Sequence, residues 1–269
     1  MLKSMMMLLA ILMIGSAATA GEPWPGEASD WHGFTRHDFK VDGRKAYVVE
    51  PEQAAAGRPW YWRMRFPGVA INDDLVLLKR GWHIAYIDMP NLFGSPKAIA
   101  VMDGFYGLMT GKHDLSKKPI LKGLSRGGLF VFNYAAAHPD RVTAIYGDAP
   151  VCDFKSWPGG KGKGGGSAGS WKQLFKAYDF ADEAEAMAYK KNPIDNLAPI
   201  AAAKIPVLIV AGDSDKVVPF EENGGLIESR YKALGGDITV ILKPGCDHHP
   251  HGLPDDPAPI LDFIDKHTK

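Results

Sequence analysis

Residues Gly123-Leu124-Ser125-Arg126-Gly127 lie between an apolar run, Pro119-Ile120-Leu121, and a mostly apolar helical pattern, Leu129 to Ala137, that ends before His138-Pro139. A G-x-S-x-G stretch so placed constrains the fold more than any other part of the chain. It predicts a strand that turns at once into a helix, a nucleophile elbow, with Ser125 exposed at the turn in a strained backbone conformation. The glycines follow from sterics. At so sharp a turn, a side chain at Gly123 or Gly127 would collide with neighbouring backbone.

Two later segments complete a chemical pattern. Ile205 to Ala211 reads as a buried parallel strand from its run of branched residues, and it empties into Gly212-Asp213-Ser214-Asp215-Lys216-Val217-Val218-Pro219. An acid at the carboxyl end of a strand is well placed to orient a histidine. Asp237 to Leu242 is a further strand, followed by Lys243-Pro244-Gly245-Cys246-Asp247-His248-His249-Pro250-His251. That loop supplies a general base. Asp213 and Asp153 are competing acids, the latter after the preceding strand, and His249 and His251 are competing bases.

The chain order serine, aspartate, histidine is that of one family of hydrolytic triads. From about Arg58 onward the chain resembles the α/β-hydrolases, closest to the secreted prolyl-oligopeptidase-like and acetyl-xylan-esterase-like groups. The resemblance implies an α/β fold: a mostly parallel sheet of about eight strands with helices on both faces. It also implies Ser125 as nucleophile, Asp215 of G-x-x-D as acid and His248 as base. Asp247 departs from the pattern, standing where the family has the second glycine of G-x-G before its histidine. The family draws one oxyanion donor from the residue after the serine, here Arg126, and one from the turn after the strand Trp60 to Phe66. Pro67 has no N–H, so Gly68 or Val69 is the expected second donor; an ordinary Pro-Gly turn is the alternative. No metal or cofactor is required, since placement at a strand end favours a general base over a zinc ligand for the histidine cluster.

The chain has 269 residues and 46% hydrophobic content, enough for one sizeable core, and residues 21–269 read as a single domain. Residues 1–20 read as a secretory leader: Lys3, an apolar run from Met5 to Ile14, and Ala18-Thr19-Ala20 as the cleavage site. The run is short for a membrane span, so export to the periplasm or beyond is expected. Cleavage would leave a formal charge of −1. Near-neutrality offers no electrostatic footprint for nucleic acid or an anionic membrane surface. Cys152 and Cys246 could pair in an exported protein, closing a loop of 94 residues, or remain as two small thiols.

Phe34 to Phe39 and Lys45 to Val49 predict a hairpin about Val41-Asp42-Gly43-Arg44. Asn72 to Arg80 and Pro96 to Met109 predict helices around a strand at Trp82 to Asp88. The glycine-rich stretch Trp157 to Ser167 is flexible by composition, and residues 152–195 are a candidate active-site cover. Trp157 and Trp171, read as exposed, suit stacking on a sugar ring, which favours an ester on a carbohydrate as substrate. Arg126 could bind an anionic group on that substrate or fold against a carboxylate to brace the elbow. The alternatives are a prolyl-oligopeptidase-like peptidase and, from a different class, a non-catalytic carbohydrate-binding protein on the same fold.

Overall fold

The structure, a computed structural model, describes residues 21–268, so the expected leader lies outside the described residues. Among them, no helix is long and apolar enough to cross a membrane. Among the described residues, nine strands form one sheet: β1 (Glu27–Trp31), β2 (Phe34–Val41), β3 (Arg44–Glu50), β4 (Trp60–Met64), β5 (His83–Ile87), β6 (Ile120–Leu124), β7 (Ala144–Asp148), β8 (Val207–Gly212) and β9 (Ile238–Lys243). Their spatial order is β1-β2-β3-β5-β4-β6-β7-β8-β9. The first three strands and β5 pair antiparallel, and all pairs from β5 to β9 are parallel. The sheet is therefore mostly parallel, with one strand more than the sequence suggests. The extra strand is β1, an exposed edge of mainly polar residues that pairs with β2 across His32-Gly33, both at positive φ. Asp42-Gly43 makes the second such turn, at φ 48° and 77°, the backbone that tight two-residue hairpins need.

Helices cover both faces because both sides of the parallel strands are apolar. Alternation along β4 shows the division. Trp60, Trp62 and Met64 point to the layer that includes α2 (Pro96–Gly111) and α3 (Gly127–Ala137), where Trp62 packs on Trp60, Phe105 and Tyr134 at 5.0–5.5 Å between ring centroids. Tyr61 and its same-face neighbours Ile120, Ala144 and Leu208 meet α1 (Asn72–Lys79) and the C-terminal helix Ala258–His267. Arg63 lies on this second face and is fully buried.

The connection from β7 to β8 carries α4 (Ala168–Tyr178), α5 (Glu183–Ala188) and α6 (Ala198–Ala202). After β8 come α7 (Gly224–Ala233) and, beyond β9, α8 (Ala258–His267). The glycine-rich start of the β7–β8 connection is pinned rather than loose. Glu222 accepts hydrogen bonds from Ser156 Oγ (2.8 Å) and from the Lys163 N–H, and the Ser167 N–H donates to the Pro158 carbonyl at 2.8 Å. Downstream, Phe154 gathers Trp171, Tyr178, Phe180 and Tyr189 into one aromatic cluster with centroids 5.2–6.1 Å away. Composition foretold flexibility here; tertiary acceptors and aromatic packing override it.

Candidate active site

The elbow is built as its glycines require. Ser125 sits at φ +50°, a left-handed conformation that costs a non-glycine residue on the order of 1–2 kcal/mol. Backbone hydrogen bonds hold it there: its N–H donates to the Asp148 carbonyl (2.8 Å), and its own carbonyl accepts from Gly128 (3.0 Å) and Val151 (2.8 Å). A Cβ on Gly123 would meet the Gly127 carbonyl oxygen at 2.8 Å, and one on Gly127 would meet the Met64 carbonyl oxygen at 2.5 Å. The turn is thereby locked between the ends of β4 and β7.

Residues from three strand ends converge on this serine. His248 Nε2 lies 2.9 Å from Ser125 Oγ, and His248 Nδ1 lies 2.7 Å from Asp215 Oδ2. The other carboxylate oxygen of Asp215 accepts the N–H groups of Val217 and Val218, both at 2.8 Å. Asp215 is thus fixed by its own loop and has one oxygen left for the imidazole. All three side chains belong to residues that are 6–8% exposed. The rival acids face elsewhere: Asp213 accepts from Gly245 N–H (2.8 Å) and Ser214 Oγ (2.9 Å), and Asp153 from Lys155 N–H (2.9 Å). Asp247, the departure from G-x-G, has a structural use. It accepts the N–H groups of Lys216 (3.0 Å) and His248 (2.7 Å), tying the acid loop to the base loop, and these bonds hold its carboxyl below the usual range.

A second pair, absent from the sequence reading, stands beside the first. His251 Nδ1 lies 2.8 Å from Asp148 Oδ1, with both residues buried, and Asp148 also accepts Tyr146 OH (2.6 Å) and the Gly252 N–H. Burial pushes the Asp148 carboxyl up, but the hydrogen bond and charge of His251, with the Tyr146 hydrogen bond and the Lys243 charge, together leave it below its ordinary value. The His251 ring lies 4.9 Å from that of His248 and stacks on Phe66 at 6.5 Å. His249 completes the cluster and is exposed; burial first, then its two neighbours, lower its pKa. The ligand nitrogens of the three histidines lie within 4.8 Å of one another. To hold a cation there through Nε2, His248 would have to release Ser125.

The oxyanion side corrects one donor. The Val69 N–H is engaged by the Phe66 carbonyl at 3.1 Å in a local turn, so Val69 does not serve. Gly68 remains at the exposed tip of the loop. Nearer the strand end, the amides of Phe66 and Arg126 have no acceptor among the described residues. Arg65 and Phe66 turn the chain at φ +67° and +47°. Beneath this loop is a buried charge cluster. Arg63 donates to the carbonyls of Phe66 (3.1 Å) and Val69 (2.5 Å) and to Asp74, while Lys122 donates to the Ala70 carbonyl (2.6 Å), Asp73 (2.6 Å) and Asp74 (3.1 Å).

Two further expectations change. Trp157 and Trp171 are each 8% exposed, Trp171 packing on Phe154 and Phe175, so neither is an open stacking surface. Arg126 has no carboxylate partner among the described residues. Its guanidinium lies between Phe66 and Trp157, 5.7 and 5.0 Å from the ring centroids, and its Nε is buried without a hydrogen-bond partner. Cys152 and Cys246 are free thiols.

No protein-family model matches the chain. Among curated proteins it is 29% identical over 150 residues to the mitochondrial palmitoyl-protein thioesterase ABHD10 of Bos taurus. The match takes in 50% of this chain and 46% of that protein, so the chain spans about half the length of this relative. Among solved structures it is similar to a Mycobacterium tuberculosis puromycin-hydrolyzing peptidase, at TM-score 0.64 and 14% identity over 80% of this chain and 36% of that one. It is also similar to a Paleococcus ferrophilus monoacylglycerol lipase, at TM-score 0.54 and 17% identity over 83% of this chain and 99% of the other. These likenesses concern the fold. Taken with the elbow after β6, and with an aspartate after β8 and a histidine after β9, they show that the chain has the α/β-hydrolase fold.

Proposed function

We propose that the protein is an exported serine hydrolase that cleaves carboxylic esters, with a carbohydrate as the alcohol component. The observation that carries this reading is the continuous hydrogen-bonded line from Ser125 through His248 to Asp215. Ser125 Oγ attacks the acyl carbonyl as His248 Nε2 takes its proton, and Asp215 fixes the tautomer and stabilises the imidazolium. The N–H of Arg126, with that of Phe66 or Gly68, receives the oxyanion; each such donor contributes roughly 3–4 kcal/mol. The proton returns from His248 to the departing alcohol, leaving acyl-Ser125. A water deprotonated by the same imidazole then releases the acid. No metal or cofactor takes part in these steps.

Support for a carbohydrate comes from the export-type leader and the resemblance to secreted esterases; the tryptophans no longer add to it. The test is labelling by a fluorophosphonate probe together with turnover of four acyl donors: an acetylated polysaccharide, 4-nitrophenyl acetate, a palmitoyl thioester and an aminoacyl-proline amide. Labelling that is lost in Ser125→Ala, with fastest turnover of the acetylated polysaccharide, is the expected result. Faster turnover of the thioester or the amide would move the protein toward the thioesterases or peptidases it resembles. Absence of labelling would leave a carbohydrate-binding protein without catalysis.

A further inference from the structure

An uncompensated positive charge stands beside the nucleophile. Arg126 follows Ser125 directly, and its guanidinium is held between the rings of Phe66 and Trp157 with no acid to neutralise it among the described residues. Arg65 is near the same ring: its guanidinium carbon lies 5.7 Å from the Phe66 centroid, and its only carboxylate contact among the described residues is with Asp88, at 3.3 Å. Burial and the neighbouring Arg65 both work against the charge on Arg126. An incoming anion would relieve that imbalance.

The surroundings are those of a recognition group rather than a brace. A bracing arginine takes a carboxylate from its own chain, as Arg80 does with Asp265 at 3.0 Å. Arg126 instead lies half-buried beside two aromatic rings, and electrostatic attraction is stronger at lower local dielectric. Phe66 also faces His251, whose ring is 4.9 Å from His248, so guanidinium, aromatic ring and the two imidazoles form one continuous wall. A planar fork with free terminal N–H groups matches the two oxygens of a carboxylate.

We infer that Arg126, supported by Arg65, binds a carboxylate carried on the ester substrate. The inference rests on the serine-hydrolase reading and narrows it. The carboxylate can come from the alcohol side, as an acylated uronic-acid sugar, or from the acyl side, as a dicarboxylic hemiester.

Two substrate pairs separate these sources: acetylated methyl glucuronoside against acetylated methyl glucoside, and mono-4-nitrophenyl glutarate against 4-nitrophenyl butyrate. In at least one pair the acidic member should show a kcat/KM about ten- to a hundredfold higher, the scale of a hydrogen bond to a charged group. That ratio should shrink as salt is raised from about 0.02 M to about 0.5 M. Arg126→Met should bring it close to one, and Arg126→Lys should keep part of it. A wild-type ratio near one in both pairs, or a ratio that survives Arg126→Met while both rates fall, overturns the inference. If none of the four esters turns over, the hydrolase reading is what has failed. Calorimetry with Ser125→Ala, of glucuronate against glucose and of monomethyl glutarate against methyl butyrate, then tests the subsite by itself, and equal affinities within both pairs overturn it.

Discussion

Asp148 accepts three hydrogen bonds at complete burial, from His251, Tyr146 OH and the Gly252 N–H, and its carboxyl is held below its ordinary value. A depressed carboxyl contributes stability that is present above its unfolded pKa, about 3.9, and is lost as pH falls through the folded one. Asp148→Asn should therefore cost about 3 kcal/mol near pH 7, the scale of breaking a buried pair. The gap in urea midpoint between wild type and variant should narrow below about pH 4. A gap of constant size from pH 7 down to pH 3 would show that the charge on Asp148 contributes nothing. For the acid and base, geometry ranks the substitutions. Asp215→Ala and His248→Ala should lower kcat by several orders of magnitude, and Asp213→Ala, Asp153→Ala and His249→Ala much less. A larger loss in any of the last three would reassign the triad.

At the scale of elements, β4 and β6 carry a burden that their apolar neighbours conceal. Arg63 on β4 and Lys122 on β6 are both fully buried and share Asp73 and Asp74 at the start of α1, while Tyr61 OH adds a bond to Asp73 at 2.9 Å. Burial raises the Asp73 carboxyl, with Lys122 pulling the other way, so the network depends on its cations. Lys122→Met should destabilise the protein by about 3–5 kcal/mol, because the carboxylates keep their burial and lose a partner. Replacing all four charges together by apolar residues of similar volume should recover most of that stability. Activity should not recover with it, since the carbonyls of Val69 and Ala70 would still lack their donors. Recovery of turnover in the fourfold variant would dissociate the network from the loop.

The whole molecule is held by its two packed faces without a covalent tie between the loop after β7 and the histidine loop. Cys152 is buried, and burial pushes its thiol well above the ordinary range; Cys246 is free. A reducing agent should leave the melting temperature unchanged within about 1 °C, whereas a disulfide closing so long a loop would contribute roughly 4–5 kcal/mol and make the midpoint drop clearly. Much of this architecture was legible in the sequence where the signal is local. Strand-like runs at β6, β8 and β9 end in residues with distinct chemistry, so Ser125, Asp215 and His248 could be placed at strand ends in order. β1 was not legible, because Glu27 to Trp31 is a polar edge whose only cue is the His32-Gly33 turn. The surroundings of Arg126 depend on Phe66 and Trp157, brought from separate loops, and no spacing announces that. Lys122 between Leu121 and Gly123, and the doublet Asp73-Asp74, were cues that only their contact explains. That contact has a consequence for lineage. A chain descended from the same ancestor cannot exchange one of these four positions for an apolar residue and keep the other three, since each intermediate strands a charge in the interior. Positions 63, 73, 74 and 122 should change as a block, and an aligned relative with methionine at 122 and aspartates still at 73 and 74 would contradict it.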